Sequence, residues 1–213
     1  MFGISKVLSA VALLTAVAPI GARATKAPPA GWYQGGDATE YRAGEDVSRR
    51  PGGYGYLSAT LQSITAQPMN FGLLKQSIRA DDYRGKRVRL TGYVRTADKN
   101  DGTAHLWMRV SDEDGSARAD YMLSRPVLPG TDWTKYTVVL DVPANAVGIS
   151  FGLGLVGAGQ AWLDDVSLEV AGRDVAVTAE GDAVAFRDNS ARFALARREP
   201  VNLDFEQQTV AMR

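Results

Sequence analysis

The chain contains no cysteine and a single histidine, His105. Without thiols there is no disulfide, no cysteine nucleophile and no thiolate metal ligand, and one imidazole rules out a multi-histidine zinc site. Any Ser–His–Asp relay would have to run through His105. Net charge is missing too: 24 basic residues balance 24 acidic ones, so nothing here attracts nucleic acid or anionic lipid. Paired carboxylates can hydrolyse glycosides, but among 24 acids some pair will always be available, and its presence has no weight. This inventory predicts a protein that is not an enzyme, with a hydrolase of unrecognised type as the weakest alternative.

Long hydrophobic runs are equally scarce. The one at the N-terminus, within "MFGISKVLSAVALLTAVAPIGARA", has Lys6 ahead of an apolar stretch from Val7 to Val17 and small residues at its end. That is the layout of a secretory signal, residues 1–24, with cleavage after Ala24. The apolar stretch is shorter than the ~20 residues of a spanning helix, so no stable membrane insertion is expected after processing. Cleavage removes Lys6 and Arg23 and leaves 22 basic residues against 24 acidic ones. The expected location is periplasmic or secreted, where a chain without disulfides must rely on core burial or a metal.

What remains is rich in β signals. After a proline-containing lead-in (25–31), short apolar runs alternate with Gly, Pro, Asp and Asn. The clearest strands are 86–96, 104–111, 135–142, 148–157 and 161–170. Their alternation puts Val88, Leu90 and Val94 on one face, and likewise Tyr136, Val138, Leu140 and Val142, or Val147, Ile149, Phe151, Leu153 and Leu155. Segment 68–80 has apolar spacing compatible with a short helix, but its context predicts a strand from Phe71 to Ile78. "DEDGS" (112–116) predicts a hairpin turn with Gly115 at positive φ. The expected fold is all-β: a two-sheet antiparallel β-sandwich, or jelly roll, with its core in 32–170 and a connecting segment over 171–199. "PVNLDFEQ" (200–207) reads as one more strand, Leu203 and Phe205 on one face, Asp204 and Glu206 on the other.

The runs "DDYRGKRVRL", "LWMRV" and "GQAWLDDVSLEV" carry a resemblance. They are similar to carbohydrate-binding-module-like, galactose-binding-like jelly rolls, of a type also found fused to arabinose-regulator-type bacterial transcription factors. The resemblance covers roughly residues 30–170 and extends through "PVNLDFE". It implies a glycan ligand and no DNA-binding role, since no helix-turn-helix pattern is visible. In such modules an "N-L-x-F-E" strand comes first, followed by a "GW" segment. Here "AGWYQGG" (30–36) begins the domain and the strand stands at the other end, as a permuted strand, a remnant of a second domain, or a strand donated to a neighbour in a strand-exchanged homodimer. The resemblance also implies a structural Ca2+ between Glu206 and Asp165 or Asp164, because Ca2+ takes six to eight oxygens. The alternative is that Asp164 accepts backbone N–H bonds with no metal.

In "AHLWMRVS", Leu106, Met108 and Val110 alternate against His105, Trp107 and Arg109. An indole flanked by groups that hydrogen-bond hydroxyls suits the C–H face of a pyranose. Equally, Trp107 can fill a second core layer. Tyr93 and Arg95 are expected on the corresponding face of a neighbouring strand, and Tyr54 and Tyr56 on a glycine-rich rim loop (49–56). Trp32, Tyr33 and Tyr121 are further aromatic candidates, while Trp133 is expected to pack into the core at a strand entry and Trp162 to face the core with Val166 and Leu168. The sequence thus predicts a non-catalytic carbohydrate-binding-like module, with a structural or protein-interaction domain of the cell envelope as the alternative.

Overall fold

The computed structural model of the chain describes residues 27–48, 50–53, 55–99, 101–179 and 193–207. The expected signal sequence over 1–24, Tyr54 and part of the 171–199 connection lie outside the described residues. Ten strands form: β1 (Tyr33–Gly36), β2 (Tyr41–Asp46), β3 (Ser58–Ser63), β4 (Phe71–Arg79), β5 (Arg87–Thr96), β6 (Thr103–Asp112), β7 (Ala117–Asp120), β8 (Thr134–Asp141), β9 (Ala146–Val156) and β10 (Gln160–Ala171). They make two five-stranded sheets, β1-β4-β9-β6-β7 and β2-β3-β10-β5-β8. All named neighbours are antiparallel. Among the described residues no helix is long and apolar enough to cross a membrane.

The expected two-sheet sandwich is therefore present, and alternation explains it. Every second residue of β9, from Ile149 through Phe151 and Leu153 to Leu155, is fully buried between the sheets, facing Leu90, Val94 and Leu163 of the second sheet and flanked by Leu106 and Met108 within its own. β4 alternates strictly between buried and half-exposed, the period of a strand and not of a helix. Gly115 sits at φ 86° in the turn between β6 and β7, a conformation glycine adopts without steric cost.

Two expectations need correction. Residues 200–207 do not form a strand: Asn202 (φ 50°) and Phe205 (φ 59°) lie in the left-handed region, which an extended chain does not visit. The segment nevertheless docks on the sandwich. Phe205 is fully buried in the core, Leu203 packs partly against it, and the Leu203 carbonyl accepts the Val166 N–H at 2.9 Å. The second correction concerns β10. Strict alternation places Trp162, Asp164 and Val166 on one face, but the ladder with β5 shifts register between Asp164 and Ser167, where Asp165 adopts φ 45°. This bulge inserts a residue and reverses the phase. Leu163 and Val166 face the core, whereas Trp162 stands on the outer face, donating from Nε1 to Asp46 at 2.7 Å. Trp133 is only half-buried.

Candidate functional site

The core-facing pattern of β9 has a complement on its outer face. Turning Ile149, Phe151, Leu153 and Leu155 inward leaves Gly148, Ser150, Gly152 and Gly154 outward, at the middle of the first sheet. Register places Leu73 and His105 on either side of Gly154, and Lys75 and Trp107 on either side of Gly152. With no side chains rising from these glycines, a cleft of ≈ 450 Å³ opens between β4 and β6. Phe71, Leu73, His105, Trp107, Tyr121 and Leu123 line it, together with Arg109 and Val156.

Trp107 is 4% exposed, yet it lies outside the inter-sheet core. Its ring stacks on Tyr121, centroids 5.9 Å apart and planes 29° apart. Its Nε1 is buried and has no hydrogen-bond partner among the described residues, which leaves a desolvated donor uncompensated there. His105 is held through Nε2, 3.0 Å from the Thr103 hydroxyl. Burial pushes its imidazole below the ordinary value, opposed by backbone groups of Met122 and Tyr121, so it is neutral near pH 7 and able to accept as well as donate. Phe71, Leu123 and Val156 form an exposed apolar rim.

Thus the structure brings His105, Trp107 and Arg109 together, and adds Tyr121. It does not add Tyr93 and Arg95, because β5 belongs to the opposite sheet. There, the Arg50 guanidinium lies 4.0 Å from the Tyr93 ring centroid and that of Arg95 lies 4.7 Å from Trp162. Tyr56 is exposed and stands outside the cleft, and its backbone N–H donates to Glu206. Tyr54 lies outside the described residues.

Contrary to the expectation that no Gly-x-Ser-x-Gly elbow accompanies His105, Gly148-Ile-Ser-Phe-Gly152 matches that hydrolase pattern. That chemistry needs a sharp strand-to-helix turn. Here the five residues are the extended middle of β9, and the Ser150 hydroxyl is 2.8 Å from that of Ser77. Register pairs Ser150 with Arg109, not with His105.

The three acids expected to hold Ca2+ do meet, at the β10 bulge, but each is already engaged. Asp165 is ion-paired with Arg50. Glu206 accepts the backbone N–H groups of Tyr56 and Leu57, each at 2.8 Å. Asp164 Oδ1 accepts the Asp165 N–H at 2.7 Å. Burial pushes the Asp164 carboxyl up to about 6; the Asp165 N–H and Arg50 oppose this, and the Asp165 and Glu206 charges reinforce it. Arg50 thus supplies the positive charge at this junction. No group of three or more His, Cys, Asp or Glu is placed to hold a metal among the described residues.

No protein-family model matches the chain. By sequence it is 37% identical over 158 residues to YbfP, an uncharacterized HTH-type transcriptional regulator of Bacillus subtilis (strain 168); the match covers 72% of this chain and 48% of the regulator. The chain thus spans about half the length of that curated relative. By fold it is similar to the enzymatically active domain of bacteriophage CBA120 tailspike protein 4, with a TM-score of 0.52 and 17% identity over 67% of this chain and 20% of that one. It is also similar to the CBM22-1–GH10 modules of Clostridium thermocellum xylanase 10B, solved with xylohexaose, with a TM-score of 0.50 and 12% identity over 69% and 27% of the two chains. These likenesses bear out the expected fold, a two-sheet β-sandwich, and the sequence has a counterpart within a helix-turn-helix-type regulator.

Proposed function

We propose that this protein is an exported, non-catalytic carbohydrate-binding module that seats a sugar ring in the cleft over Trp107. The observation that carries the reading is the Trp107–Tyr121 stack at the base of an outward cleft, with an indole N–H that has no acceptor among the described residues. A sugar supplies what is missing: C–H bonds for the aromatic surfaces and a hydroxyl for the unpaired donor. His105, neutral and partly anchored, is a second polar contact. The layout of residues 1–24 supports export, and the extended backbone around Ser150 supports a role without catalysis.

The test is calorimetric titration with soluble β-1,4-linked xylo-, cello-, manno- and galacto-oligosaccharides, guided by a glycan array. Trp107→Phe keeps an aromatic ring in place and removes the N–H. It is expected to fold and to bind at least tenfold more weakly, the order of one hydrogen bond to a buried donor. Trp107→Ala is expected to abolish binding. The exposed rim of Phe71, Leu123 and Val156 favours a second reading, a protein partner with an apolar surface. Silence of the whole glycan panel toward a folded protein would leave that reading in place of the first.

A further inference from the structure

The side chains that line the cleft have a one-sided chemistry. A sugar hydroxyl donates as well as accepts, so a site for a neutral sugar is completed by carboxylate or amide oxygens. Among the described residues that line this cleft there is no Asp, Glu, Asn or Gln. Three nitrogen-bearing side chains stand in their place, His105, Trp107 and Arg109, at every second position on the outer face of β6.

Two of the three are built in and short of a partner. The Trp107 N–H only donates, and it has no acceptor among the described residues. His105 is 7% exposed; its Nε2 meets the Thr103 hydroxyl, while Nδ1 is buried with no partner among the described residues. The third, Arg109, is half-buried and brings the only formal charge among the described lining residues at neutral pH. It is engaged within the protein, but a guanidinium has five N–H donors in a planar fork, enough to keep an internal contact and still grip a carboxylate. The remaining walls, Phe71, Leu73, Leu155 and Val156, are apolar and strengthen any ion pair formed between them. Successive outward residues of a strand stand about 7 Å apart, which is about the length of one pyranose ring with its substituents.

We propose that the cleft selects acidic sugars. The pyranose of a uronic acid lies over Trp107, its ring hydroxyls meet Trp107 Nε1 and His105 Nδ1, and its carboxylate meets the Arg109 guanidinium. This deepens the carbohydrate reading and rests on it.

The experiment is calorimetric titration of the full mature chain with the methyl glycosides of glucuronic and galacturonic acid and with those of glucose and galactose. Cyclohexanecarboxylate serves as a carboxylate without hydroxyls. The wild type is expected to bind one of the uronates at least tenfold more tightly than its neutral counterpart, the order of one charge-assisted hydrogen-bonded pair. Raising sodium chloride from about 0.05 M to about 0.5 M is expected to weaken the uronate at least threefold and to leave the neutral glycoside unchanged. Arg109→Gln is expected to bring acid and neutral sugar to within about twofold. Neutral glycosides that bind as tightly as the uronates overturn this inference and leave the carbohydrate reading standing. So does a uronate affinity indifferent to salt, or a folded Arg109→Gln that keeps the tenfold ratio. Should that variant fail to fold, the wild-type ratio and its salt dependence decide. Cyclohexanecarboxylate binding as tightly as either uronate overturns the inference and the carbohydrate reading alike. If neither neutral nor acidic saccharides bind, the carbohydrate reading itself fails and takes this inference with it.

Discussion

Phe205→Ala is expected to cost the fold about 3–5 kcal/mol, and removal of residues 200–213 is expected to abolish cooperative unfolding altogether. Phe205 is fully buried, its ring 5.1 Å from that of Trp32, which in turn meets Phe151 edge-on at 5.7 Å and 87°. The docking is also polar. Trp32 Nε1 donates to the Asn202 carbonyl at 3.0 Å, Asn202 Nδ2 donates to the Ala30 carbonyl at 3.0 Å, and Gln76 exchanges two hydrogen bonds with the backbone of Val201. Deleting the segment strands each of these buried groups while opening the core. Domains of this kind hold only about 5–15 kcal/mol in total, so the sum of the losses exceeds what the fold can spare. Urea denaturation followed by tryptophan fluorescence checks both variants. A deletion variant that unfolds at the wild-type midpoint would show the segment to be a dispensable remnant.

Gly152→Ala is expected to destabilise the protein by about 2–3 kcal/mol, whereas Gly154→Ala, two residues along the same face, should leave the melting temperature nearly unchanged and weaken saccharide binding. The two glycines are bare for different reasons. Gly152 has φ 157°, and a β-carbon there would be driven into the Leu74 carbonyl of β4, so the central sheet must open to admit it. Gly154 is not so confined: its β-carbon would meet Leu73 at 3.4 Å, Trp107 at 3.7 Å and His105 at 3.8 Å, ordinary contacts at the floor of the cleft. A methyl group there takes the place of ligand without disturbing the ladder. Thermal melts and saccharide titrations on the two variants separate the roles; equal melting losses for both would contradict the division.

How much of this could be read from the residues depends on where alternation is clean. β5, β6, β8, β9 and β10 were legible because apolar residues recur at every second position, and β4, FGLLKQSIR, only from its context. β2 and β3 were not: "YRAGED" and "SATLQS" bury Ala43, Gly44, Glu45, Ser58 and Thr60, small or polar residues that give no hydrophobic signal and are held by pairing with each other and with β10. The outward direction of His105, Trp107 and Arg109 followed from the same alternation. Joining Tyr93 and Arg95 to them did not, since consecutive strands β5 and β6 cross between sheets, and strand order is a tertiary fact. The Trp162 error has a local cause. A period-two pattern contains no mark for the extra residue at Asp165 that reverses the face. The turns at Asn202 and Phe205 likewise hide behind a perfect-looking alternation, and nothing in "ARFALARRE" announces that Phe193 lies against Gly148.

The most direct test of the central claim is a two-dimensional ¹H–¹⁵N spectrum of the four tryptophan indole N–H groups during titration with the tightest-binding oligosaccharide. Trp32 and Trp162 already donate within the protein, to Asn202 and Asp46, while Trp107 has no partner among the described residues. Assigned through Trp107→Phe, the Trp107 resonance is expected to move furthest, downfield, as its N–H gains a hydroxyl acceptor, with Trp32 and Trp162 nearly stationary. Saturating binding that leaves the Trp107 indole unmoved while Trp162 or Trp133 shifts would place the ligand elsewhere and contradict the account.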